Sequence, residues 1–309
     1  MRIVFMGTPD FAVPSLEALI EAGHEVAGVF TQPDRPKGRG GKVQQSPVKE
    51  CALRHGIPVF QPVKIKLDGI ADLRVLAPEV CVTAAFGQIL NQEVLDVPAR
   101  GTVNVHASLL PRHRGSAPIL YSILEDDGET GVTTMLTARG IDNGDMLMRA
   151  VLPIAEDDTT QTLTGKLSRV GAKLLIDTLA AMERGECPRT PQDEAQMTYD
   201  PMPTKELGRL DFTESTRRCL CRVRAMDPWP CAYAELKEGA LKVWRAAPAE
   251  GHGAPGTVLR ADRALVIATG DGAMELCEIQ APGAKRMDAR AYLLGHEIAA
   301  GMPLHEVQG

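Results

Sequence analysis

The sequence predicts an α/β fold built on a parallel sheet, followed by a small all-β domain. Three observations predict it. The chain opens with an apolar run at 2–6, a turn Gly-Thr-Pro-Asp-Phe at 7–11, a helical stretch at 14–22 and a second apolar run at 26–31. That is the order of a βαβ unit, whose strands run parallel. Residues 188–208 then shift to Pro, Gln, Thr and charge with little apolar periodicity, the composition of a linker. Beyond it, short strand candidates separated by Gly- and Pro-containing turns suggest a small β-barrel. The chain has 309 residues, and single cores seldom grow past about 250–300 residues. The expected division is a Rossmann-like parallel-sheet domain at 1–187, a linker at 188–208 and an OB-like barrel at 209–309.

The elements follow in order. Pro14 stands near the start of the first helix, where its missing N–H costs nothing. Residues 46–55 read as a second helix, with Ser46 as cap and Pro47 at its first position. A short strand begins at Val59, and 80–85 is a buried strand followed by the turn Phe86-Gly-Gln-Ile-Leu90. A β-branched strand is expected at 102–106, a helix at 116–124, and strands at 131–136 and 146–153. Residues 159–184 place Leu163, Leu167, Val170, Leu174, Leu175, Leu179 and Met182 on one face of a long amphipathic helix. After the linker, 215–226 reads as a helix bearing Arg217, Arg218, Arg222 and Arg224. Strands are expected at 232–236, 241–246, 256–259, 265–269 and 274–279.

Composition excludes several classes. The net charge of −6 argues against a protein that grips nucleic acid over its whole surface, leaving room only for a local basic patch. The seven cysteines are odd in number, irregular in spacing and without a Cys-x-x-Cys pair, which favours reduced thiols over a disulfide frame or a zinc site. No metal-ligand cluster is seen. The amino-terminal run reads as a first strand rather than a secretory leader. No apolar run approaches the roughly 18 residues a membrane span needs. A soluble, cytoplasmic monomer is expected.

The first turn is not a dinucleotide fingerprint, because Pro9 and Ala12 occupy the places of the second and third glycines. The most unusual loop is 32–42, Gln-Pro-Asp-Arg-Pro-Lys-Gly-Arg-Gly-Gly-Lys. It sets Arg35, Lys37, Arg39 and Lys42 against Asp34 alone, a cationic segment suited to phosphate contact. It is not a Walker loop, since Pro36 and Val43 stand where that motif needs Gly and Ser or Thr.

The chemistry centres on Asn-Val-His-Ala-Ser-Leu-Leu-Pro at 104–111, followed by Arg-His-Arg-Gly. In a strand, successive side chains alternate faces, so Asn104 and His106 share one. Open α/β sheets place their ligands at the carboxyl ends of such strands. Neutral imidazole accepts a proton at one nitrogen while donating from the other. A carboxamide beside it can donate to a developing oxyanion. A carboxylate would complete the set by fixing the tautomer, and the Gly-rich turn 140–145 offers Asp142 and, as its rival, Asp145. Such a constellation suits acyl transfer to an amine. No Gly-x-Ser-x-Gly elbow is present, so direct transfer without a covalent enzyme intermediate is expected.

These residues resemble the folate-dependent formyltransferases: Asn104, His106 and the 104–111 motif with Asp142 downstream. Two further features select the branch acting on aminoacyl-tRNA: the loop Thr-Gln-Pro-Asp-Arg-Pro-Lys-Gly-Arg-Gly at 31–40, and Asp-Pro-Trp-Pro at 227–230 leading into the barrel. The resemblance implies that 10-formyltetrahydrofolate donates its formyl group to the α-amino group of methionine on initiator tRNA. It implies Asn104, His106 and Asp142 as the catalytic set, deciding against Asp145. It implies folate contacts from Ser108, Leu109, Leu110, Pro111, Phe86, Gln88, Ile89 and Leu90. It implies acceptor-stem contacts from Arg35, Lys37, Gly38, Arg39 and Lys42, with barrel and linker holding the tRNA. The alternative is formyl transfer to a small amine, a nucleotide precursor or an amino sugar. Two features depart from the family: the linker at 199–205 is poorer in lysine, and His113 stands where Trp is expected, altering a stacking or packing contact.

Overall fold

The computed structural model describes residues 1–37, 42–237 and 239–307, with only the backbone given at 37 and 42. The chain divides into two compact units. The first holds Met1–Pro118, Glu129–Pro153 and Thr164–Asp200, and the second Ile119–Gly128, Ile154–Leu163 and Pro201–Gly309.

The strands of the first unit are β1 (Arg2–Gly7), β2 (Glu25–Phe30), β3 (Arg35–Lys37), β4 (Lys42–Gln44), β5 (Val59–Phe60), β6 (Val80–Ala84), β7 (Thr102–His106), β8 (Arg114–Gly115), β9 (Glu129–Leu136), β10 (Met146–Pro153) and β11 (Tyr199–Asp200). Helices along the chain are α1 (Val13–Glu21), α2 (Pro47–Arg54), α3 (Ile70–Leu76), α4 (Gln92–Leu95), α5 (Pro118–Leu124) and α6 (Thr160–Arg184). The main sheet has the order β10-β9-β7-β6-β1-β2-β5. From β1 the chain builds outward to β2 and β5 on one side and to β6 and β7 on the other. This makes β1/β6 the switch point where the carboxyl ends of strands open a crevice.

The sheet has the expected parallel core, extended at one side into a mixed sheet. Strands β7, β6, β1, β2 and β5 run parallel, whereas β9 pairs antiparallel with both of its neighbours, β7 and β10. The reason is visible in burial. Strand β6 is buried at every residue, as a central parallel strand must be, while β10 alternates like an antiparallel edge with one solvated face. Helices α3 and α4 and the β3–β4 hairpin were not expected from the sequence.

Local chemistry starts the helices where expected. The Ser46 hydroxyl accepts from the Lys49 amide at 3.1 Å, with Pro47 at the first position of α2. The core under the parallel strands joins Val4, Met6, Phe30, Cys81, Phe86, Leu90 and Val94, with Phe60 stacked on Phe30 at 4.9 Å between ring centroids. Helix α6 lies close against β7 and β9: a side chain at Gly171 would strike Val105 and Val132. Thr178 of α6 and Thr134 of β9 share a hydrogen bond of 2.8 Å.

In the second unit, α7 (Thr216–Ala225) is followed by β12 (Ala232–Leu236), β13 (Gly239–Ala249), β14 (Val258–Ala261), β15 (Leu265–Ala268), β16 (Ala273–Gln280), β17 (Met287–Asp288) and α8 (Ala289–Leu293). The strands form an antiparallel half-barrel of order β12-β13-β16-β15-β14, with β17 on β16. Register breaks in β13 and β14 bend the sheet. The arginines of α7 are engaged within this unit. Arg217 reaches Asp126 and Glu156, Arg218 the Leu124 carbonyl, Arg222 Glu214, and Arg224 the carbonyls of Ala155 and Asp158. All seven cysteines are free, and five of them are buried. Among the described residues no helix is long and apolar enough to cross a membrane.

Candidate active site

Strand β7 carries the site because it lies between β6 and β9. Its register sets Asn104 beside Thr83 on one side and Met135 on the other. The Thr83 hydroxyl donates to Asn104 Oδ1 at 2.9 Å, which orients the carboxamide and turns its NH2 away. That NH2 faces Asp142 Oδ1 at 3.5 Å. Since a carboxylate only accepts, the orientation of the amide is determined from both ends.

His106, on the same face of β7 and 6% exposed, makes two contacts that define its ring. Its Nε2 lies 2.8 Å from the carbonyl oxygen of His113. A carbonyl only accepts, so Nε2 carries a proton. Its Nδ1 faces Asp142 Oδ2 at 3.7 Å. In the neutral ring the lone pair therefore sits on Nδ1, beside a carboxylate that would stabilise the imidazolium.

Asp142 adopts a left-handed backbone, φ 47°, in the turn between β9 and β10. Its Oδ2 also accepts from the Gly115 amide at 2.9 Å. Gly115 has φ 116°, and a side chain there would collide with the Asp200 carbonyl, so only glycine brings this amide to the carboxylate. Asn104, His106 and Asp142 are thus brought together at the carboxyl end of β7. Asp145 has its backbone carbonyl bonded to the Leu136 amide.

The residues expected around a folate fall into different settings. Ser108 is buried, its hydroxyl donating to the Arg112 carbonyl at 2.8 Å. Leu110 is packed with Met135 and Met146, Pro111 is buried and Leu109 half-buried. Phe86 and Leu90 belong to the core beneath the switch point, while Ile89 is 79% exposed. Gln88 spans the loop before α3, accepting from the Ile65 amide at 2.7 Å and donating to the Pro62 carbonyl at 2.9 Å. Gln32 and Thr8 both donate to the Phe86 carbonyl, joining the ends of β2 and β1 to that of β6.

Of the cationic loop, Arg35 is exposed on β3 and Lys37 and Lys42 lie on the paired strands β3 and β4. Gly38 and Arg39 fall outside the described residues. Asp34 at its base is held by Lys49 at 2.6 Å and by Gln61 at 2.8 Å. The Lys49 ammonium and the Gln61 amide, donating to it, lower its carboxyl below the usual range. Among the described residues no group of His, Cys, Asp and Glu side chains is gathered that could hold a metal.

Four site residues escaped sequence reading: Thr83, Gln192, Thr198 and Asp200. Thr83 lies on a buried strand, and the others fall in the stretch read as linker, with no periodicity to mark them. His113, expected as an altered packing position, is buried with φ 61° and paired through Nδ1 to Asp200 at 2.9 Å. A polar pair thus occupies the place where an aromatic contact was expected.

A fold with a mixed sheet, a half-barrel and this Asn, His and Asp cluster defines a class. The chain belongs to the formyl transferase family: its model matches residues 1–179, and the model of the formyl transferase C-terminal domain matches residues 203–297. Within it the chain sits among the methionyl-tRNA formyltransferases. It is 48% identical over 303 residues to that of Citrifermentans bemidjiense, covering 97% of this chain and 95% of the relative. It is 46% identical to that of Agathobacter rectalis, covering 97% and 98%. Among solved structures it is similar in fold to HypX from Aquifex aeolicus in complex with tetrahydrofolic acid. There the TM-score is 0.65 at 23% identity, over 96% of this chain and 47% of that one. It is similar too to WlaRD, a sugar 3N-formyl transferase, with TM-score 0.69 at 17% identity over 93% and 98%.

Proposed function

We propose that this chain transfers the formyl group of 10-formyltetrahydrofolate to the α-amino group of methionyl initiator tRNA. Full-length similarity to methionyl-tRNA formyltransferases supports the acceptor. The observation that carries the mechanism is the meeting of Asn104, His106 and Asp142 at the end of β7.

The amine nitrogen bonds to the formyl carbon, and the bond from that carbon to N10 of the folate then breaks. Over the whole step the amine gives up one proton and N10 gains one. His106 Nδ1 takes that proton and returns it, because Nε2 is engaged with the His113 carbonyl. The Asp142 carboxylate, 3.7 Å from Nδ1, stabilises the imidazolium between the two transfers. The Asn104 NH2, oriented by Thr83, donates to the oxyanion of the tetrahedral intermediate. Ser108, Leu109, Leu110, Pro111, Phe86, Gln88, Ile89 and Leu90 shape the folate side of the crevice. Arg35, Lys37, Gly38, Arg39 and Lys42 meet acceptor-stem phosphates, and the half-barrel supplies further tRNA contacts.

The test is acid-urea gel separation of Met-tRNA after incubation with protein and 10-formyltetrahydrofolate, with His106→Ala alongside. The expected result is a shift to formyl-Met-tRNA with wild type alone. Transfer to free glycinamide ribonucleotide or an amino sugar at matching rates would replace tRNA with a small amine.

A further inference from the structure

Residues 190–200 were read from the sequence as linker. They are almost all exposed, as a linker would be. Their polar groups nevertheless reach inward to both catalytic loops.

Thr190 exchanges two backbone hydrogen bonds of 2.9 Å with Met146, just after the Asp142 turn. The Gln192 amide donates to the carbonyls of Asp142 and Gly144, both at 2.8 Å. Its Oε1 accepts from Arg114 Nε at 2.9 Å. The buried Arg114 guanidinium continues to both carboxylate oxygens of Glu194 at 2.8 and 3.1 Å. Arg114 and Gly115 pair in parallel with Tyr199 and Asp200 as β8 and β11. The His113 amide donates to the Thr198 hydroxyl at 2.7 Å, and the His113 ring donates from Nδ1 to the buried Asp200 carboxylate at 2.9 Å.

The segment therefore holds the backbone of Asp142 with the Gln192 side chain, the backbone of His113 with the Thr198 hydroxyl and the ring of His113 with the Asp200 carboxylate. His113 is the residue whose carbonyl accepts the hydrogen bond from His106 Nε2. Two of the three catalytic groups take their geometry from it. A left-handed backbone at both Asp142 and His113 costs energy for a non-glycine residue. Each is held where a strand-capped strap bonds directly to it.

We propose that Gln192 and Asp200 are positioning residues for formyl transfer: Gln192 sets the Asp142 carboxylate, and Asp200, through His113, sets the ring and tautomer of His106. This rests on the catalytic reading of His106 and Asp142 given above.

The variants are Gln192→Glu, Asp200→Ala and Asp200→Asn, with His106→Ala as control. Gln192→Glu removes the two amide donors but keeps an acceptor for Arg114, so it spares the fold if Asp200→Ala does not. Misplacing a catalytic group by about 1 Å can cost on the order of 10²-fold. Gln192→Glu and Asp200→Ala should lower kcat about 10- to 100-fold, with KM for folate and Met-tRNA changed less than about twofold. Asp200→Asn keeps an oxygen to accept from His113 Nδ1 and should recover most of kcat. Nitrogen-15 spectra of the His106 ring should show the Nε2–H tautomer in wild type and a mixture in Asp200→Ala.

Wild-type kcat in Gln192→Glu and Asp200→Ala, with His106→Ala inactive in the same assay, overturns the positioning role and leaves the reaction standing. An unchanged His106 tautomer in Asp200→Ala overturns the route through His113. Activity in His106→Ala equal to wild type overturns the catalytic reading and this proposal with it.

Discussion

His106 donates from Nε2 to the backbone carbonyl of His113 at 2.8 Å, a bond buried on both sides. On the proposed mechanism it assigns the chemistry to the other nitrogen. A ring whose Nε2–H is held by a carbonyl keeps its lone pair at Nδ1, beside Asp142.

His106→Ala and Asn104→Ala should therefore each lower turnover roughly 10²-fold or more, the usual cost of removing an acid–base group or an oxyanion donor. Single-turnover gels with saturating Met-tRNA read this directly. Loss of affinity alone, with turnover kept, would contradict it.

Thr83→Val keeps shape but removes the hydroxyl that orients Asn104 at 2.9 Å. The carboxamide oxygen is then left without that donor, at a cost of about 1 kcal/mol in stability. Turnover should drop more than the small fall in melting temperature suggests, measured by the same assay beside calorimetry.

Arg39→Ala and Arg35→Ala should weaken use of Met-tRNA while folate affinity is kept. Raising salt should weaken wild-type tRNA binding steeply and the variants less so, because each phosphate contact releases counterions. Filter binding across a salt series gives the slope. Equal slopes for all three proteins would remove the loop from the interface.

Asp126 receives hydrogen bonds from Arg217 at 2.7 Å, and these hold its carboxyl below the usual range. A depressed native value means that its contribution to stability is full above the unfolded carboxyl value, about 3.9. That contribution is lost as pH falls through the native value. Asp126→Asn should lower the melting temperature at pH 7 and have a shrinking effect toward pH 2–3. Being partly exposed, the pair is worth a modest amount.

Burial pushes the thiols of Cys81 and Cys219 up to about 12 and that of Cys231 up to about 11. Cys187 and Cys277 are less buried. A thiol reagent at pH 8 should label Cys187 and Cys277 first, with the rest reacting only after denaturant is added. Mass mapping of early adducts checks the order.

Much of the fold was legible because its signals are local. The caps at Ser46 and Pro47, the β-branched run of β7 and the leucine stripe of α6 each state their element within a few residues. The antiparallel turn of the sheet was harder, since it depends on where β9 and β10 pair and is betrayed only by the alternation in β10. Asn104 and His106 were readable as a pair because strand periodicity puts them on one face. The choice between Asp142 and Asp145 was not, for both sit in one polar turn and only the tertiary approach to Asn104 and His106 separates them. Gln192 and Asp200 were the least legible. A segment that makes its bonds through side chains to distant backbone shows neither period of 2 nor of 3.6, and so resembles a linker.

The pairing of β8 with β11 joins residues far apart along the chain. Closing so long a loop is entropically costly and contributes only once the surrounding structure exists. The proposed catalytic groups are all made by residue 142, yet the support for two of them arrives with residues 190–200. During synthesis, which proceeds from the amino terminus, a ribosome-bound chain ending between these points would hold every reacting side chain and lack the bonds that aim them. On the proposed reading, competence for transfer comes late, with the pairing of Asp200, and not with the last of the proposed catalytic residues.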